Sequence, residues 1–160
     1  MKKRDADLEQ RLVPEWQQAI PNDRMAHLLK DTSRMLTKAL QARLAKQDVL
    51  IGHWTYLRIL WEKDGLTKRQ ISREAAVSEP TTFVALRAME TLGLIRLEQR
   101  ADNQKNIYVY LTANGKRLKK SLMPMAEKVN TQAFSGISAA DAATTRTVLL
   151  KMMANFDASE

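Results

Sequence analysis

Residues 66–112 read LTKRQISREA (66–75), AVSEPTTFVALRAMETLG (76–93) and LIRLEQRADNQKNIYVYLT (94–112), and this stretch decides the fold. Thr67 is placed to cap a short helix over 68–75, and Ala76-Val77 reads as a tight turn. Ser78 caps a second helix, with Glu79 and Pro80 in its first turn, where an acid and a proline are both tolerated. That helix runs to Leu92 and stops at Gly93. The period then changes from 3.6 to two. Residues 94–100 and 107–112 alternate and are rich in β-branched or aromatic side chains, with a polar turn over 101–106 between them.

Outward from this centre the chain is helical. Leu8, Leu12, Val13, Trp16 and Ile20 share a helical spacing interrupted by Pro14, and Pro21-Asn22-Asp23 reads as a stop and a new cap. Met25, Leu28, Leu29, Met35, Leu36, Leu40 and Leu44 mark a long amphipathic helix from Asp23 to about Gln47. A further helix spans 53–63, with Trp54, Leu57, Leu60 and Trp61 on one side and Asp64-Gly65 as its stop. Thr112 caps a helix carrying Leu118, Leu122, Met125, Val129 and Ala133, with a kink expected at Pro124. Ser138 and Asp141 resemble a capping box for a last helix striped by Thr145, Leu149, Met152, Met153 and Phe156. The fold class is mainly α with a small β-hairpin: a winged helix-turn-helix over 50–112, flanked by helical dimerisation regions at 1–47 and 113–160.

Composition narrows the function. The chain has 160 residues, 44% hydrophobic and 28% charged, which is ordinary for a globular protein. It contains no cysteine and only two histidines, so thiolate chemistry is excluded and a dedicated metal site is not expected. There is no membrane-length apolar run, and the basic N-terminus leads into polar residues rather than an apolar signal core, so a cytoplasmic protein is expected. No Gly-rich phosphate loop and no Ser–His–acid grouping is present, and the chain is expected to be neither an enzyme nor a cofactor carrier. The formal charge is +8. Residues 66–120 hold eleven basic against five acidic side chains, a net +6. A field of that sign attracts polyanions through phosphate contacts and counterion release, although a solvated basic surface has the same charge.

The major groove of duplex DNA admits one α-helix, so a reader must present a helix with one face free of packing. Thr82, Ala85, Leu86 and Met89 recur at i, i+3, i+4 and i+7 and are expected to pack against Ile71 and Leu57. The opposite face offers Glu79, Pro80, Thr81, Phe83, Val84 and Arg87, beside the cap Ser78. Thr81 and Arg87 suit base edges or phosphates; Phe83 and Val84 suit a thymine methyl, unless they complete a buried helix. Thr67, Lys68, Arg69 and Gln70 open the preceding helix, where amides and side chains together make a phosphate clamp. Arg100, Asn103, Gln104 and Lys105 at the hairpin tip have the reach and charge for a minor groove.

From Leu66-Thr67 through Ile71, Ser78-Glu79-Pro80-Thr81, Leu92-Gly93-Leu94-Ile95 and Leu111-Thr112-Ala113-Asn114-Gly115, the chain resembles the MarR family of bacterial regulators. The resemblance implies a homodimer with interlocking terminal helices, two winged lobes on a palindromic duplex DNA operator, and a repressor released by a small aromatic or phenolic ligand. Where the family usually carries Asp-x-Arg in the wing, this chain has Asn103 and Lys105, and lysine cannot form the same planar contacts. Val84 stands where many members have a basic residue. An effector site is expected where the long first helix, the next helix and the lobe meet, with Trp16, His27, Arg34, His53 and Trp54 available to it. Two other readings stay open: a winged-helix module for protein–protein contact, and a small-molecule binder without an operator.

Overall fold

A computed structural model of the chain describes residues 7–8, 11–13, 25–101 and 103–157. The expected helix over 7–20 lies mostly outside these residues; 7–8 and 11–12 are helical, and Trp16 is not among those described. The chain divides into two compact units, 1–38 and 39–160. Helix α1 (Met25–Leu44) begins in the first and ends in the second, followed by a single 3-10 turn at Ala45–Gln47. In the first unit its apolar side chains Met25, Leu28 and Met35 are exposed.

The second unit is built on α2 (Ile51–Glu62), β1 (Leu66–Thr67), α3 (Lys68–Ala75), α4 (Glu79–Thr91), β2 (Ile95–Arg100), β3 (Asn103–Leu111), α5 (Ala113–Ala133) and α6 (Ala139–Asp157). Its core gathers Leu44, Leu57, Leu60, Leu66, Ile71, Leu86, Met89, Ile95, Val109 and Leu122, contributed by every helix and strand from α1 to α5. Local signals explain the boundaries. Thr67 and Gln70 form a reciprocal capping box at α3, Ser78 caps α4, and Ala76 takes the left-handed conformation that turns one helix into the next. Gly93 (φ +65°) ends α4 in that same region, which suits glycine.

The sheet differs from the expected hairpin in two ways. It has three antiparallel strands in the order β1-β3-β2, because Leu66↔Val109 and Thr67↔Tyr108 add a third strand. A two-residue strand is too short to show alternation. And β3 starts at Asn103, so residues 103–106 belong to the strand rather than to a long turn, with Arg100↔Asn103 as the last pair and an irregularity between Gln99 and Arg100. These four residues are polar because the wing there is solvated on both sides.

The Leu111-Thr112-x-x-Gly115 closure has a packing reason. The Thr112 hydroxyl caps the Gly115 amide at 3.1 Å and donates to the Gly93 carbonyl at 2.7 Å, drawing the start of α5 against the end of α4. A Cβ on Gly115 would lie 2.1 Å from the Leu94 carbonyl oxygen, so no larger residue fits. Its own carbonyl accepts the Trp61 indole N–H at 2.9 Å, tying α2 to the same point. Pro124 sits inside α5, which runs as one helix through it. Ser138 and Asp141 make the expected cap of α6, but of its predicted stripe only Leu149 and Met152 are even half-buried.

Candidate nucleic-acid interface

Helix α4 separates its faces as the sequence predicts. Thr82, Leu86 and Met89 are fully buried and Ala85 partly so; the Thr82 hydroxyl pairs with the Tyr56 hydroxyl at 3.3 Å. On the other side Glu79, Pro80, Thr81 and Arg87 are exposed, and Val84 is 69% exposed. Phe83 is half-buried and stands outside the core cluster, so it does not complete a buried helix. Val84 is thus an apolar side chain left open on the outer face of α4.

The polar groups around this face are already engaged with one another. Ser78 and Thr81 share a hydroxyl–hydroxyl bond of 2.9 Å. Glu79 lies 3.8 Å from Arg69, joining the starts of α3 and α4. Lys68 stands 4.7 Å and Arg87 5.1 Å from the centroid of the Phe83 ring, within cation–π range. Arg87 also pairs with Glu90 at 2.8 Å, whose other oxygen accepts the Leu97 amide at 3.1 Å and so links α4 to β2. At the start of α3 the Gln70 side-chain oxygen accepts the Thr67 amide and hydroxyl, while the Gln70 amide donates to the Thr67 hydroxyl. The expected clamp of Thr67, Lys68, Arg69 and Gln70 is thus divided: Thr67 and Gln70 cap the helix, and Lys68 and Arg69 carry its charge.

The wing is similar. Gln104 and Lys105 are exposed, and Asn103 is half-buried. Arg100, expected beside the hairpin tip, folds over the outer face of the sheet. Its Cζ lies 4.0 Å from the Tyr108 ring centroid and its Nε donates to the Tyr110 hydroxyl at 2.9 Å. Arg96 stacks 4.8 Å from the same Tyr110 ring. Period two puts all four side chains on one face, a juxtaposition the strand register makes visible after the fact (Arg96↔Tyr110).

The five expected effector residues fall in different parts of the chain. Trp16 lies outside the described residues. His27 is half-buried and Arg34 bonds Asp31 at 3.0 Å, both in the unit 1–38. His53 and Trp54 are buried in the lobe. No hydrogen-bond partner for His53 Nδ1 occurs among the described residues, and burial pushes the imidazole pKa down. Trp54 lines an open cleft of about 540 Å³ between α2 and α3, with Arg58, Ile59, Glu62, Gln70 and Glu74. Arg58 stands 5.8 Å from the Trp54 ring centroid. The spacing 54, 58, 62 was the available signal, since it puts a ring and two opposite charges on one helix face.

The MarR family model matches residues 51–107, which run from the start of α2 into β3. Over these residues the chain matches the MarR family. The chain is 27% identical over 128 residues to the transcriptional regulator HosA of Escherichia coli O127:H6, covering 79% of the chain and 93% of HosA. Among solved structures it resembles the S. aureus MepR–DNA complex, with a TM-score of 0.76 and 21% identity over 82% of this chain and 97% of that one. It also resembles Bordetella bronchiseptica BpsR, whose DNA binding is regulated by 6-hydroxynicotinic acid, with a TM-score of 0.74 and 18% identity over 82% and 99%. The MarR relatives are regulators of transcription rather than enzymes. Among the described residues no helix is long and apolar enough to cross a membrane.

Proposed function

We propose that this DNA-binding transcriptional regulator of the MarR family is a cytoplasmic repressor that grips a palindromic operator as a homodimer and is released by a small aromatic acid. One observation carries the reading: the exposed face of α4, with Thr81, Val84 and Arg87 outward over a buried Thr82, Leu86 and Met89. A major groove admits one α-helix, and Lys68, Arg69 and Lys105 are the basic side chains offered as phosphate partners. Ser78, Glu79, Pro80 and Thr81 lie at the helix start, where recognition helices meet base edges. The DNA complex of MepR supports the same binding mode.

Dimer formation is supported by apolar side chains the single chain leaves uncovered. Phe134, Ile137, Val148, Leu150, Met153 and Phe156 are exposed around α6. The aromatic-acid effector is supported by the cleft beside Trp54, where Arg58 offers a carboxylate partner next to a ring, and by the ligand of BpsR. Mobility shift on the DNA upstream of the chain's own coding region, with a salt series, tests the reading. A preferred palindromic site bound by a dimer and weakened by an aromatic acid is expected. Binding without sequence preference reduces the protein to a nonspecific binder.

A further inference from the structure

We propose that Phe83 is a positioning residue that holds Lys68 and Arg87 ready for the phosphate backbone, rather than a reader of thymine methyls; the inference rests on the DNA-binding reading above. Lys68 opens α3 and Arg87 lies one turn beyond Phe83 on α4, so a single ring joins cations from both helices of the reading motif. The ring is half-buried and takes no part in the core, and an aliphatic side chain there would fill the same space without its quadrupole. Its neighbour Val84 is 69% exposed and is the apolar group free to touch a base.

The physical advantage lies in order. A lysine ammonium on a four-carbon stem loses rotamer freedom when it meets a phosphate, and two cations held close together repel. A ring that presents its negative face to both offsets the repulsion and fixes the stems before DNA arrives. Arg87 is further steadied by Glu90, and Arg69 by Glu79, so the basic groups of this face are held by partners on the protein. Phosphates then meet a prearranged set of charges.

The test has two parts. In the wild-type chain without DNA, NMR should show the Lys68 Hε and Arg87 Hδ protons shifted upfield by the Phe83 ring current. Random-coil shifts for both would overturn the proposal without any variant. In the second part, duplex affinity is measured for Phe83→Leu, Phe83→Tyr and Lys68→Ala, and for Lys68→Ala combined with Phe83→Leu, each checked by thermal melting. Phe83→Leu should weaken binding roughly three- to ten-fold while Phe83→Tyr stays near wild type, and Lys68→Ala should have a smaller effect in the Phe83→Leu background. Wild-type binding by Phe83→Leu, an equal loss in Phe83→Tyr, or strictly additive effects would each overturn it. If the wild-type chain fails to retain duplex DNA at all, the DNA-binding reading falls and this proposal with it. If wild type binds and only the Phe83 series is flat, this proposal alone falls.

Discussion

Helices α4 and α6 carry comparable apolar content and end in opposite situations. On α4, Thr82, Leu86 and Met89 are fully buried by the chain's own α2, α3 and sheet. On α6 no residue is buried among those whose burial is described, and Met153 and Phe156 are 68% and 77% exposed. A stripe at helical spacing therefore says that a face will be covered, but not by what. Where the covering elements are local, as for α4, sequence and single-chain structure agree. Where no local element covers the stripe, as for α6, it stays open in the single chain, as the proposed dimer requires.

The largest effect is expected at Leu86. Leu86→Ala should lower the stability of the lobe by about 2–5 kcal/mol, because it opens a cavity in a core formed within one chain. Thermal or urea unfolding reads this out, and the loss should not depend on protein concentration. The matching change on α6, Met153→Asp with Phe156→Asp, should instead raise the dissociation constant of the dimer by roughly thirty-fold or more while leaving the α2–β3 lobe intact. Sedimentation equilibrium separates the two; a doubly substituted chain that remains dimeric removes α6 from the interface.

Smaller effects sharpen the local half. Thr112→Ala removes the cap of Gly115 and the bond to the Gly93 carbonyl, and should cost about 1 kcal/mol in the same unfolding experiment. The smallest concerns His53, whose folded pKa lies below its ordinary value because burial opposes the charge. The unfolded chain takes up a proton as pH falls through about 6.5 while the folded one resists it, so stability is full above that pH and declines below it. Melting between pH 7.5 and 5.5 should show a decline in the wild type that is shallower in His53→Gln.

Much of the lobe was legible because its signals are local. Thr67, Ser78, Gly93 and Thr112 each mark a boundary through chemistry confined to a few residues, and the buried row of α4 follows from spacing alone. What escaped was non-local. Strand β1 is two residues long and exists because Leu66 and Thr67 pair with Val109 and Tyr108 far along the chain. The commitments of Lys68 to Phe83 and of Arg100 to Tyr108 join different elements, and a list of basic residues does not show which are held. The cleft beside Trp54 likewise needs α3 laid against α2 before Arg58 and Glu74 line the same space.

The measurement that bears most directly on the account is the affinity of Val84→Asp for operator duplex, by fluorescence anisotropy at fixed salt. Val84 faces solvent in the free chain, so melting temperature and dimer mass should be unchanged, whereas a carboxylate carried into the groove should weaken binding by roughly tenfold or more. A folded, dimeric Val84→Asp protein that binds as tightly as wild type would mean that this face of α4 does not meet DNA.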